Sequence, residues 1–134
     1  MKVYTSCYWR YHGRNGVQIT PSKPSDGYVY RALPSLYPPW PAIKAWNEAK
    51  YLDKDSPKRK RVWDKQAQMY WQQLTRLGAE TVISMLHDGD VLLGWHGKQS
   101  ECFRSVLAEF LRRNGIDVEE IENLVFMRRI RSRI

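Results

Sequence analysis

The fold is constrained most by an apolar run and the amphipathic stretch that follows it. Asp90-Val91-Leu92-Leu93-Gly94-Trp95 is compact and apolar between turn residues, and Phe103, Val106, Leu107, Phe110 and Leu111 then fall at i, i+3, i+4, i+7 and i+8. The first pattern suits a strand buried on both faces, and the second gives a helix one continuous apolar face. A buried strand feeding an amphipathic helix is the unit from which parallel α/β sheets are built.

The rest of the chain can be read around that unit. Val3-Tyr4-Thr5-Ser6-Cys7-Tyr8-Trp9 is β-branched and aromatic, as a first strand would be. His12 to Gly16 carries turn chemistry, and Val17-Gln18-Ile19-Thr20 alternates like a short half-buried strand. Residues 21–41 hold six prolines and several aromatics, which predicts an ordered loop packed on the body. A short helix is expected over 42–51, a charged loop over 53–61 and an amphipathic helix over 63–77 closed by Gly78. A shorter helix over 82–86 ends near Asp88-Gly89, Ser100 stands as N-cap of the helix carrying Phe103, and Asn114-Gly115 closes that helix. Residues 116–134 read equally as strand, helix or basic tail. The expectation is one α/β domain over 1–134, Rossmann-like, with a mainly parallel sheet and flanking helices.

Composition bears on partners. The 134 residues are 43% hydrophobic and 27% charged, enough for one core and too apolar for wholesale disorder. Two cysteines cannot make a disulfide scaffold, and no apolar run approaches the roughly 20 residues of a membrane helix. No leader precedes the first strand, so a cytoplasmic protein, in a bacterial cell or a phage-infected host, is expected. The net charge of +8 is uneven: residues 1–67 hold 13 Lys and Arg against 5 Asp and Glu, whereas residues 68–134 hold 9 of each. A basic field of this kind favours nucleotides, nucleic acids or acidic protein surfaces. Its exposed candidates for nucleic-acid backbone are Lys58-Arg59-Lys60-Arg61 and, in the tail 128–134, Arg128 and Arg129 with Arg131 and Arg133.

Ligands of open parallel sheets sit beyond the carboxyl ends of the strands, here Ser6-Cys7-Tyr8 and Gly94-Trp95-His96. With Ser100 as N-cap, Cys102 falls in the first helical turn, where unpaired backbone N–H groups favour an anion and a thiolate. Arg104 adds a planar, bidentate cation in that turn, unless it pairs with Glu101 or Glu109 on the helix surface. Ser6, His96, Cys102 and Arg104 are therefore candidates for the polar floor of a phosphate pocket, with Tyr8, Trp9 or Trp95 as its stacking wall. Cys102 with His96 as base is the alternative catalytic pair. Cys7, His96 and Cys102 include the residue types of a zinc site but contain no close ligand pair, so no metal and no cofactor are expected.

Lys2-Val3-Tyr4-Thr5-Ser6-Cys7-Tyr8, Leu92-Leu93-Gly94-Trp95-His96 and Cys102-Phe103-Arg104 together resemble the bacterial and phage family called domain of unknown function 488. That family begins with a strand close to Lys-hydrophobic-Tyr-Thr-Ser-Tyr. It ends in Leu-Leu-Cys-aromatic-Glu, a short loop, and Cys-His-Arg opening a helix. Gly94, His96 and Phe103 depart from the family's Cys, Glu and His, so the Cys-His-Arg motif is degenerate. The resemblance implies the fold and a pocket in which the surviving Thr5, Ser6, Cys102 and Arg104 cradle an anion, and supplies no reaction. Because the family occurs in phages, it also implies sequestration of a nucleotide or an anti-defence role.

The expected function is therefore binding of a nucleotide-like or nucleic-acid phosphate ligand at the strand ends. The alternatives are an enzyme acting on such a ligand through Cys102 and His96, and a basic inhibitor of an acidic protein partner that uses no pocket. Homo-oligomers are compatible with all three readings, and a membrane partner is not expected.

Overall fold

The computed structural model of the chain describes residues 1–96 and 98–122. Among these residues five strands, β1 (Lys2–Cys7), β2 (Gly16–Gln18), β3 (Arg31–Ala32), β4 (Val91–Gly94) and β5 (Asp117–Glu120), form one sheet in the order β3-β2-β4-β1-β5. Every pairing in it is parallel. Among the described residues four helices flank it: α1 (Trp40–Ala49), α2 (Pro57–Leu77), α3 (Ala79–Ser84) and α4 (Phe103–Arg113). The expected Rossmann-like α/β fold is the fold observed.

Strand alternation divides the interior in two. Val3, Val17 and Leu92 face the helices and pack with Trp46, Tyr70, Leu74, Leu107 and Leu111. Tyr4, Val91 and Leu93 face the other way and pack with Tyr8, Tyr11, Tyr30 and Ile121. Among the described residues, that second cluster draws only on strands and loops. The expected burial of β4 on both faces follows from its place between β1 and β2, with all four of its residues buried.

Several boundaries differ from the sequence expectations. Residues 57–61 are the first turns of α2, because Ser56 caps it by accepting the Arg59 N–H and Pro57 sits where a missing N–H costs nothing. Ser100 lies inside a 3₁₀ turn, Gln99–Glu101, and Cys102 is the extended residue that caps α4. The proline-rich loop holds the two-residue β3 and a 3₁₀ turn at Pro34–Leu36. Arg31 fixes this loop, since its guanidinium donates twice to the buried Asp90 carboxylate, at 2.8 Å each, and to the Met85 carbonyl. The ambiguity after residue 116 resolves to β5, and Arg128, Arg129, Arg131 and Arg133 lie outside the described residues. Among the described residues no helix is long and apolar enough to cross a membrane.

Candidate functional site

Parallel strands all end at the same edge of a sheet, so the loops leaving β1, β2 and β4 converge. They open a cleft of about 930 Å³, lined by Trp9 after β1, Ile19 to Ser22 after β2, and Gly94 to His96 at the end of β4. The facing wall is α1, whose Trp40, Ile43, Asn47 and Lys50 recur at helical spacing, with Trp46 and Tyr51 beside them. Arg59 from α2 and the segment holding Lys98, Glu101, Cys102, Phe103 and Arg104 complete the lining.

The lining is aromatic with cations at its edge. Trp9 is 55% exposed and Trp40 64%, so both offer ring faces to a ligand. Trp95 is oriented by its Nε1–H, which donates to the Ser22 carbonyl and hydroxyl, both at 3.1 Å, and its ring rests 4.9 Å from that of Tyr8. Trp46 is buried, with the Arg59 guanidinium 5.4 Å above its ring.

Of the eight expected ligand-binding residues, Trp9, Trp95, His96, Cys102 and Arg104 line the cleft and Thr5, Ser6 and Tyr8 do not. These three point into the two sides of the sheet, where buried hydroxyls must find partners. Thr5 Oγ1 donates to Glu120 Oε1 at 2.7 Å, Ser6 Oγ donates to the Ile121 carbonyl, and the Tyr8 hydroxyl shares a 2.6 Å bond with Thr20. Burial pushes the Tyr8 hydroxyl up to about 12, so it stays protonated.

Arg104 reaches the cleft floor already committed. Its Nε and Nη2 donate to the two oxygens of Glu120 at 3.0 and 2.8 Å, and its Nη1 donates to the His96 carbonyl. The alternative to a phosphate role was pairing with Glu101 or Glu109 on the helix surface; the observed partner is instead a carboxylate on β5, which pairing with β1 brings alongside. The guanidinium thus ties α4, β5 and the end of β4 together.

Cys102 is buried above Gly94, where the close approach leaves no room for a side chain: a Cβ on Gly94 would lie 2.5 Å from Cys102 Sγ. The cysteine that the DUF488 resemblance would place at this position therefore does not fit beside Cys102 as it stands. Cys7 pairs in register with Gly94, is buried, and burial pushes its thiol up. His96 is held down to about 4 by burial first, then by Lys50 and Arg104, against an opposing contribution from Glu101, so its imidazole is neutral at pH 7. Among the described residues no three His, Cys, Asp or Glu side chains are grouped as metal ligands.

The basic run divides once it is helical. Lys58, Lys60 and Arg61 are exposed, whereas Arg59 turns inward, only 13% exposed, and ion-pairs with Glu101. Lys98 Nζ holds the other oxygen of Glu101 at 3.0 Å. Sequence reasoning missed Trp46, Lys50 and Glu101 as lining residues, and it placed Arg59 on nucleic-acid backbone and not in the cleft. Two signals were present: Ser56-Pro57 as a helix start, and the helical spacing of Trp40, Ile43, Asn47 and Lys50. No family model, no curated protein and no solved structure matches this chain.

Proposed function

We propose that the cleft binds a nucleotide-like ligand, either free or at the end of a single-stranded nucleic acid, with its base on an indole face and its phosphate toward the cations. The observation that carries this reading is the pairing of two exposed indoles, Trp9 and Trp40, with Lys50, Arg59 and Lys98 in one strand-end cleft. Stacking on an aromatic is worth about 1–3 kcal/mol per base, and nearby cations supply the salt-dependent remainder. The volume lies at the upper end of the roughly 300–1,000 Å³ typical of small-molecule sites. Arg104 contributes by shaping the floor, since its donors are directed at Glu120 and His96. A tightly held nucleotide would agree with the sequestering role that the DUF488 resemblance implies.

The test is purification through a high-salt wash, then the 260 to 280 nm absorbance ratio and mass spectrometry of the heat-released supernatant. Titrations with nucleoside monophosphates and short oligonucleotides follow on the emptied protein. Trp9→Ala and Trp40→Ala should each weaken binding about tenfold. Absence of binding by every nucleotide and oligonucleotide, or equal binding by both variants and the parent, overturns the reading.

A further inference from the structure

We infer that Arg59 and Lys98, in the cleft that Lys50 also lines, form an oxyanion subsite whose place is held by the protein's own Glu101, and that a phosphate-type group enters by displacing that carboxylate. This rests on the cleft being the binding site. It goes further in naming which cations take the anion and what the anion must replace.

Four observations lead there. First, the buried arginine that a helix N-terminus would offer to a phosphate, Arg104, is engaged on both arms of its fork by Glu120. Second, the Glu101 carboxylate is shared between cations from separate elements, with Oε2 on Arg59 of α2 and Oε1 on Lys98 of the preceding loop. An anion bridging two cations at the wall of a cleft is the arrangement that a bound phosphate adopts. Third, the Arg59 pairing is one-pronged: Nη2 meets Glu101, while Nε is buried without a hydrogen-bond partner among the described residues. A guanidinium binds an oxyanion best through two parallel N–H groups, so a second acceptor oxygen would satisfy a donor that Glu101 leaves unmet. Fourth, Glu101 sits in a three-residue 3₁₀ turn and is 20% exposed, so its side chain has a short route to solvent when another anion arrives.

The chemistry also sets specificity. A ligand has to outcompete an intramolecular carboxylate, so a singly charged anion with one oxygen gains little over what is already bound. A dianion with several oxygens can take Arg59 Nε and Nη2 together and still reach Lys98. Ligands carrying a terminal phosphate or a diphosphate are therefore favoured over carboxylates and over uncharged nucleosides.

The test uses inorganic pyrophosphate, with acetate as the monoanion control, titrated into the full chain by calorimetry and tryptophan fluorescence, since Trp46 lies beneath Arg59. Glu101→Gln should bind pyrophosphate about tenfold tighter than the parent, with acetate unchanged. Adding Arg59→Gln should remove that gain, and Arg59→Lys should restore only part of it, because the charge returns without the fork. Circular dichroism and melting temperature confirm that each variant is folded, and Glu101→Ala serves as a second variant should Glu101→Gln be poorly folded. Equal or weaker pyrophosphate binding by the Glu101 variants, or no pyrophosphate binding by any protein, overturns the subsite. If pyrophosphate follows the expected order and no nucleoside monophosphate binds more tightly than inorganic phosphate, the subsite stands and the nucleotide reading falls.

Discussion

Two arginine–glutamate pairs border the same cleft and serve different ends. Arg104 and Glu120 are buried to 0% and 5% side-chain exposure, meet through both arms of the fork, and are further satisfied by the His96 carbonyl and the Thr5 hydroxyl. Arg59 and Glu101, at 13% and 20%, meet through one arm, share the carboxylate with Lys98, and leave Arg59 Nε without an acceptor among the described residues. The same two residue types thus give a pair closed on every side and a pair with bonding capacity left over. A buried pair is held because removing one partner strands a charge in low dielectric, whereas a pair nearer water can exchange partners at little cost.

That contrast can be broken by experiment. Arg104→Met should cost about 3 kcal/mol in urea unfolding by leaving the buried Glu120 carboxylate with only its longer contact to Arg10, at 3.9 Å, and the Thr5 hydroxyl. Arg59→Met should cost about 1 kcal/mol or less. Equal losses would mean that the two pairs are alike. The floor between them can be probed through Gly94. Gly94→Ala should lose about 1–3 kcal/mol because the new methyl meets Cys102 Sγ, and Cys102→Ala in the same chain should recover much of that loss. No recovery would show that something other than the sulfur sets the packing.

The smallest expected effect is pH-dependent. The folded chain holds His96 down to about 4, whereas the unfolded chain titrates at its ordinary 6.5. Between those values the unfolded state binds the extra proton, so stability is full above about 6.5 and is lost as pH falls toward 4. After solvent screening the loss should be about 1 kcal/mol, read as a shallower decline of melting temperature with acid in His96→Gln.

Local patterns were legible in the sequence, and long-range partners were not. Phe103, Val106, Leu107, Phe110 and Leu111 announce α4 because helix periodicity is written in adjacent turns, and all but Val106 are buried. The strand-end location of the cleft followed from the order of strands and helices. The partner of Arg104 could not be found this way: Glu120 comes within reach only because β5 lies beside β1, and no local spacing encodes that neighbour. Charge misled at residues 58–61, where a basic run looked like a solvated loop although Ser56-Pro57 marks a helix start. That reading hid the inward turn of Arg59. Thr5 and Ser6 showed the reverse error, since hydroxyls at a strand end looked available until the sheet supplied them with partners.

The strand order has a consequence for how the chain comes into being. β1 lies second from one edge of the sheet, yet both of its neighbours are made late: Tyr4 pairs with Val91, and Lys2 with Asp117. On a ribosome adding about 5–20 residues per second, β1 therefore waits on the order of ten seconds for its partners. During that interval an apolar, β-prone segment is open to chaperones and to other nascent chains. Assembly dominated by such distant pairings should be slow for a domain of this size, and the last step should be the arrival of β5, which also delivers Glu120 to Arg104.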